Sequence, residues 1–325
     1  MAQMPVRQAV LRNARTDRRT PRAANTAEHQ ARLASRLTAR DRWLVAMLHE
    51  HRVLTGDQIA ALAFPTARGA RARLRNLWCW SVLDRFQPVL ARGTAPMHYV
   101  LGPAGATVLA TGHGLDTTDL GYRRNRTLGI AHSLRLAHTI GCNQLLTDLA
   151  THGHLRAWWS EQRCARSIGD LARPDAYAHW ATPCGELGFF VEYDTGTEAL
   201  GKLAAKLAGY HDLARATGQT TALLFWFPST HRETHARRTL HRTWTEMAEP
   251  GLLPIATASR EAPHPSADAW LPLETSGPRR PLDQLPHTWP QLTPAPPDGE
   301  SPPTSTNPAL PPPPPQPPTK HPRPR

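Results

Sequence analysis

The chain has 325 residues, with 38 Lys and Arg against 26 Asp and Glu, and a formal charge of +12. This length accommodates two domains, and this charge favours a polyanionic partner, nucleic acid above all, without determining a fold. Cys79, Cys142, Cys164 and Cys184 form no C-x-x-C pair, and no apolar run reaches about 18 residues, so neither a zinc finger, a dithiol motif nor a membrane helix is supported. The opening MAQMPVRQAVLRNARTDRRTPR is basic and lacks the apolar core of a secretion signal, so a reducing cytoplasm is the expected setting.

Residues 1–36 carry many arginines and little apolar periodicity, which reads as a basic disordered arm. From Leu37 the pattern turns helical, with Thr38 as N-cap and Leu44, Met47 and Leu48 at core spacing. Thr55 and Gln58 have capping-box spacing and start a second helix, which Phe64-Pro65-Thr66 ends. A third helix is expected from Ala67 to Trp80, with Leu74 and Leu77 facing inward. Arg68, Arg71 and Arg75 form a stripe on its opposite side, and Arg73 lies off that stripe. An extended segment from Ser81, a turn over Ala91–Pro96 and a strand over Met97–Leu101 follow, then a short helix from Gly102-Pro103. Three helices and a hairpin describe a winged helix-turn-helix over residues 37–111. Its third helix would enter the major groove of double-stranded DNA, and Arg92 at the wing tip would reach a phosphate or the minor groove. The other reading of the stripe is a solvated helix face.

Residues 112–127, containing Gly, Asp and Arg, read as a linker. A second, α/β domain is expected over 128–260. It opens with a helix from Ile130 to His152, with Leu134 on its apolar side. Strands are expected at Leu155–Trp159, from Arg173, at Leu187–Asp194, at Thr221–Phe227 and at Leu252–Ser259. Helices are expected at Thr197–Ala214 and Thr230–Ala248. Most of the 33 prolines lie after residue 250, and residues 276–325, including Pro311–Pro315, read as a disordered or polyproline-like tail. Such a tail is either passive or a ligand for a polyproline-binding partner.

The stretch Gly188–Tyr210, GFFVEYDTGTEALGKLAAKLAGY, holds the candidate chemistry. Period two puts Phe190, Glu192 and Asp194 on one face of a strand. Carboxylates on a buried strand need a cation, a basic partner or water. The alternative is a wet strand end whose carboxylates cap the next helix. Leu200, Leu203, Leu207 and Tyr210 form the apolar stripe of that helix, and Glu198, Lys202 and Lys206 are spaced for ordinary i,i+4 ion pairs.

With Pro174-Asp175 entering one strand and Glu192-x-Asp194 on the next, this order of elements resembles the restriction-endonuclease-like PD-(D/E)xK nuclease core. The resemblance implies that Asp175, Glu192 and Asp194 hold Mg²⁺, with Mn²⁺ as a substitute. Asp194 stands where that motif has its lysine. Lys202 or Lys206, from the following helix, would then serve the attacking water. Both halves together, through Leu37-Thr38, Arg40-Asp41, Gln58, Phe64, Arg73-Leu74, Arg173-Pro174-Asp175, Glu192, Asp194, Thr197, Lys206 and Tyr210, resemble the replication-relaxation proteins of actinobacterial plasmids and integrated mobile elements. That resemblance covers residues 37–260 and implies a role in plasmid replication or DNA relaxation. The expected partners are duplex DNA, plasmid replication or relaxosome proteins, and a second copy in a homodimer. Two activities remain open: a metal-dependent nuclease or nickase, and a non-catalytic regulator or relaxosome accessory factor.

Overall fold

The computed structural model describes residues 12–15 (backbone only), 20–90, 93–183, 185–294 and 310–318. It is a mixed α/β protein with two sheets, divided into two compact units: Met1–Thr147 with Leu310–Arg325, and Asp148–Ala309. Arg92 and Cys184 lie outside the described residues. No described helix is long and apolar enough to cross a membrane.

The first unit contains β1 (Arg12–Arg15), α1 (Ala27–Arg36), α2 (Ala39–His51), β2 (Leu54–Thr55), α3 (Gly56–Ala63), α4 (Ala67–Cys79), β3 (Leu83–Val89), β4 (His98–Leu101), α5 (Pro103–Gly112) and α6 (Arg124–Leu128). Local signals place the helices as expected. The Thr38 hydroxyl accepts from the Asp41 N–H while the Asp41 carboxylate accepts from the Thr38 N–H, and Thr55 and Gln58 form the same reciprocal cap on α3. The strands form an antiparallel sheet in the order β1-β3-β4-β2, in which β2 joins the β3–β4 hairpin through Leu54 opposite Tyr99. Arg73 donates to the buried Asp41 and so ties α4 to the start of α2. Burial alone would raise the Asp41 carboxyl. Hydrogen bonds from Arg73 and Thr38, with the charge of Arg73, outweigh it and hold that carboxyl below its ordinary value.

Two boundaries expected from composition move. The arm expected over 1–36 contains α1, capped by Thr26, with Leu33 fully buried and His29 Nε2 donating to the Trp80 carbonyl at 2.8 Å. Ahead of it, Arg22 pairs with Asp84 and donates to the Trp78 and Leu83 carbonyls. Arginines that looked like a solvated run are partly consumed by backbone carbonyls and a buried acid. The linker expected over 112–127 does not separate the units either, because the division falls at Thr147/Asp148. Ile130 and Leu136 pack with Val53, Phe86 and Val100. Asn143 Nδ2 donates to the Val53 carbonyl at 2.8 Å, and Gln58 Nε2 donates to the Ile140 carbonyl at 3.0 Å. The long helix expected from Ile130 is a 3-10 turn (Gly129–His132) followed by α7 (Leu136–Thr151). Ser133 is extended between them and leaves Leu134 exposed.

The second unit is a six-stranded sheet in the order β10-β9-β8-β7-β6-β5. Its elements are β5 (Leu155–Ser160), α8 (Glu161–Ile168), β6 (Ala176–Thr182), β7 (Gly185–Tyr193), α9 (Leu200–Thr217), β8 (Ala222–Phe227), α10 (Thr230–Thr245), β9 (Ile255–Ser259) and β10 (Leu271–Pro272). β5, β6 and β7 are antiparallel, β7, β8 and β9 are parallel, and β10 returns antiparallel on β9. α9 and α10 are the two parallel crossovers. Leu203, Leu207, Ala236 and Leu240 from these helices pack with Tyr177, Phe190, Leu223, Phe225 and Phe227 from the sheet. The disordered tail expected from 276 onward is not what the described residues 276–294 form. Trp270, Leu282, Leu285 and Trp289 are buried. Arg237 donates to the carbonyls of Leu271, Pro272 and Thr275, and Arg279 pairs with the buried Glu233. Arg237 and Glu233 of α10 thereby hold a proline-rich segment that has few backbone donors of its own.

Candidate functional site

β7 is the centre of the candidate site. Its residues Phe190 and Glu192 face α9, as period two predicts, and the rings of Phe190 and Tyr210 lie 5.5 Å apart. Asp175 immediately precedes β6. Its N–H donates to the Val191 carbonyl at 3.0 Å, and its Oδ2 accepts from the Tyr193 N–H at 2.9 Å. These two bonds span Glu192 and hold Asp175 beside it. From the other side, α9 supplies Lys206, whose Nζ donates to Glu192 Oε2 at 2.8 Å, and Tyr210, whose hydroxyl donates to Glu192 Oε1. Lys206 also pairs with Glu198 at 3.3 Å. Glu192 is 2 % exposed, whereas the Lys206 side chain is 36 % exposed, so solvent reaches the cluster along the ammonium.

Gly209 permits this assembly. A Cβ at that position would stand 2.1 Å from the Leu171 carbonyl oxygen. α9 therefore passes against the backbone of the loop that leads through Pro174 into Asp175. Lys206, Gly209 and Tyr210 are three uses of one helical face: an ammonium, a close approach and a hydroxyl.

The electrostatics follow from burial. Burial pushes the Glu192 carboxyl up to about 7 and the charge of Asp175 adds to this, while Lys206 and Tyr210 pull in the other direction. For Lys206, burial by itself would lower the value. The charge of Glu192 and its hydrogen bond, then Asp175 and Glu198, reverse that and hold the ammonium above its ordinary range. Burial and the charge of Glu192 keep Tyr210 protonated far into alkali. Lys206 and Tyr210 are thus donors at neutral pH, not bases.

Of the residues expected at this site, Asp175, Glu192 and Lys206 converge. Asp194 is engaged elsewhere: its Oδ2 accepts from Arg232 Nε at 2.7 Å and its Oδ1 from the Gly196 N–H at 2.8 Å. It is a buried turn lock that joins the end of β7 to the first turn of α10, with the Arg232 guanidinium standing where a cation was expected. Lys202 is exposed on the first turn of α9. Glu198 precedes α9, and it pairs with Lys206, eight residues on, instead of with its i,i+4 neighbour Lys202. Sequence reasoning missed the roles of Tyr210, Gly209 and Arg232. Tyr210 was read as core stripe, although a buried tyrosine hydroxyl needs a partner and lies one turn beyond Lys206.

Among the described residues no cluster of three or more His, Cys, Asp or Glu side chains is arranged to hold a metal ion. The pair Asp175 and Glu192 offers hard carboxylate oxygens. They are the residues that could hold a divalent cation, although Lys206 and Tyr210 already donate to the two Glu192 oxygens.

In the first unit, α4 buries Ala70, Leu74 and Leu77 and exposes Arg68, Arg71 and Arg75 on its other side. Among the described residues none of these three arginines is in an ion pair, in contrast to Arg73. No curated protein and no solved structure matches the chain. A model of the replication-relaxation family matches residues 45–243, a span that takes in α4, Asp175, Glu192, Lys206 and Tyr210. The chain belongs to the replication-relaxation family.

Proposed function

We propose that this chain binds duplex DNA through its first unit and acts on the DNA backbone through its second, in the replication or relaxation of a plasmid or mobile element. The observation that carries the reading is the convergence of Asp175, Glu192 and Lys206 beside the carboxyl end of β7, where open α/β sheets place their ligands. The first unit is read as a winged helix: α2, α3 and α4 form the helical part, and β3 and β4 form the wing with β2 paired alongside. α4 would lie in the major groove, with Arg68, Arg71 and Arg75 on phosphates or base edges. The second unit is read as a PD-(D/E)xK nuclease-like domain whose lysine has moved from the strand position held by Asp194 to Lys206 on α9.

In this reading Asp175 and Glu192 would hold a divalent cation, which neutralises charge on the phosphate undergoing attack. Lys206, fixed by Glu192 and Glu198, orients a phosphate oxygen or the attacking water by donating a hydrogen bond, since its proton is held firmly. Tyr210 fixes the second oxygen of Glu192. Asp194 and Arg232 keep the adjoining turn in place.

The test is conversion of supercoiled plasmid with Mg²⁺ or Mn²⁺ and with chelator. Wild type should nick or linearise it only with metal. Asp175→Ala, Glu192→Ala and Lys206→Ala should lose that conversion and keep DNA affinity. Arg68→Ala/Arg71→Ala/Arg75→Ala should bind more weakly, and its dependence of log affinity on log salt should be shallower by about 0.9 for each phosphate contact removed. Conversion that persists in the Asp175 and Glu192 variants would refute the site. A second reading, a DNA-binding accessory factor, is favoured by one observation: both Glu192 oxygens already have donors within the protein. It predicts tight binding with no conversion, and loss of stability alone in the Glu192 variant.

A further inference from the structure

The stretch Leu310–Pro318, LPPPPPQPP, belongs to the first unit although it follows the second in sequence. Each proline restricts its own φ and drives the residue before it toward extended or polyproline conformations. The tract is therefore ordered before it meets anything, and little entropy is lost when it docks. Pro311–Pro315 have no N–H to donate, so their carbonyls depend on donors from other residues.

Trp43 is such a donor. It lies on α2, is 5 % exposed, and its Nε1–H donates to the Pro314 carbonyl at 2.7 Å. The residues on either side, Pro313 and Pro315, are buried, while Pro314 and Gln316 are exposed. An indole that donates to a proline carbonyl, with the two flanking rings packed against the protein, is the arrangement by which aromatic-lined grooves read proline-rich chains. We propose that the first unit carries a polyproline-binding site centred on Trp43, and that the chain's own Leu310–Pro318 tract is its resident ligand. The site is saturable: a free chain of the same chemistry competes with the tethered one. This assignment is independent of the nuclease reading, since it uses none of the residues around Glu192.

The experiment uses full-length protein and a fluorescein-labelled LPPPPPQPP peptide, followed by anisotropy. Pro313→Ala/Pro315→Ala loosens the tethered tract and should bind the peptide saturably. Wild type should bind it at least about tenfold more weakly, because a tethered ligand acts at an effective concentration on the order of millimolar. Adding Trp43→Phe to the double variant keeps a ring and removes the donor. It should weaken binding by about fivefold, the equivalent of one neutral hydrogen bond. Thermal melts of all three proteins establish that they are folded. The proposal is overturned if the double variant does not bind the peptide, if it binds no better than wild type, or if Trp43→Phe leaves its affinity unchanged. A concentration-dependent dimer of wild type that disappears in Pro313→Ala/Pro315→Ala would overturn the tethered tract as the occupant, in favour of exchange between two copies.

Discussion

Replacing Glu192 with glutamine keeps the shape of the side chain and removes its charge. The Glu192 carboxyl is raised from 4.5 to about 7, because burial above all, with the charge of Asp175, penalises the anion and together they outweigh the attraction of Lys206 and Tyr210. The unfolded chain releases the same proton near 4.5. Between those values the folded state holds a proton that the unfolded state has lost. The stability tied to this group is therefore complete below pH 4.5 and is lost as pH rises through 7. A gap of about 2.5 units at about 1.4 kcal/mol each amounts to about 3 kcal/mol. Glu192→Gln has no such proton to lose. Urea denaturation of both proteins with chelator, at half-unit steps from pH 4.5 to 8.5, should show the variant gaining on wild type by about 3 kcal/mol up to pH 7.5 and then a plateau. Any difference in hydrogen bonding between the protonated carboxyl and the amide would offset the curves by an amount independent of pH, so the slope carries the test. A difference that does not change with pH would refute the reasoning, because Glu192 would then ionise normally in the folded protein. A bound cation requires the deprotonated carboxylate, so Mg²⁺ should stabilise wild type more at pH 8 than at pH 6 and leave Glu192→Gln unmoved.

Gly209→Ala gains about 1 kcal/mol of helix propensity but drives a Cβ into the Leu171 carbonyl, so a net loss of about 1–2 kcal/mol is expected in thermal melts, with reduced DNA processing if the Asp175 loop shifts. Arg232→Ala leaves Asp194 buried without its cation and should destabilise by about 3 kcal/mol, and Asp194→Asn in the same background should recover part of that loss. His98 is buried and stacked on Phe86, and burial lowers its value to about 4 although the Pro96 carbonyl opposes this. The stability tied to it is complete above about pH 6.5 and lost as pH falls toward 4, by up to about 3 kcal/mol. His98→Phe should flatten that acid limb in denaturation curves.

The sequence by itself determined what depends on neighbours along the chain. Thr38 and Thr55 announce two helix starts because a capping hydroxyl and its N–H lie within one turn, whereas Thr66, read as part of the turn that ends α3, also caps α4. The arginine spacing on α4 places Arg68, Arg71 and Arg75 away from Leu74 and Leu77 for the same local reason, the 3.6-residue period. Strand period puts Glu192 and Phe190 on one face, while Asp175, and Lys202 or Lys206, are named only by the resemblance to a nuclease core. Only the tertiary structure decided which charges meet. Asp194 and Lys202 look as fit for a site as Glu192 and Lys206, but α10 delivers Arg232 to Asp194, and it is Lys206 and Tyr210, not Lys202 one turn earlier on the same face of α9, that lie level with Glu192. Composition misplaced the boundaries because a proline- or arginine-rich segment reads as unstructured until its donors are found. Trp43 supplies one for Pro314, Arg237 supplies three for the carbonyls of Leu271, Pro272 and Thr275, and Asp84 takes the guanidinium of Arg22. Each of those partners is distant in sequence, and the free energy of such pairs exists only once the chain has folded around them.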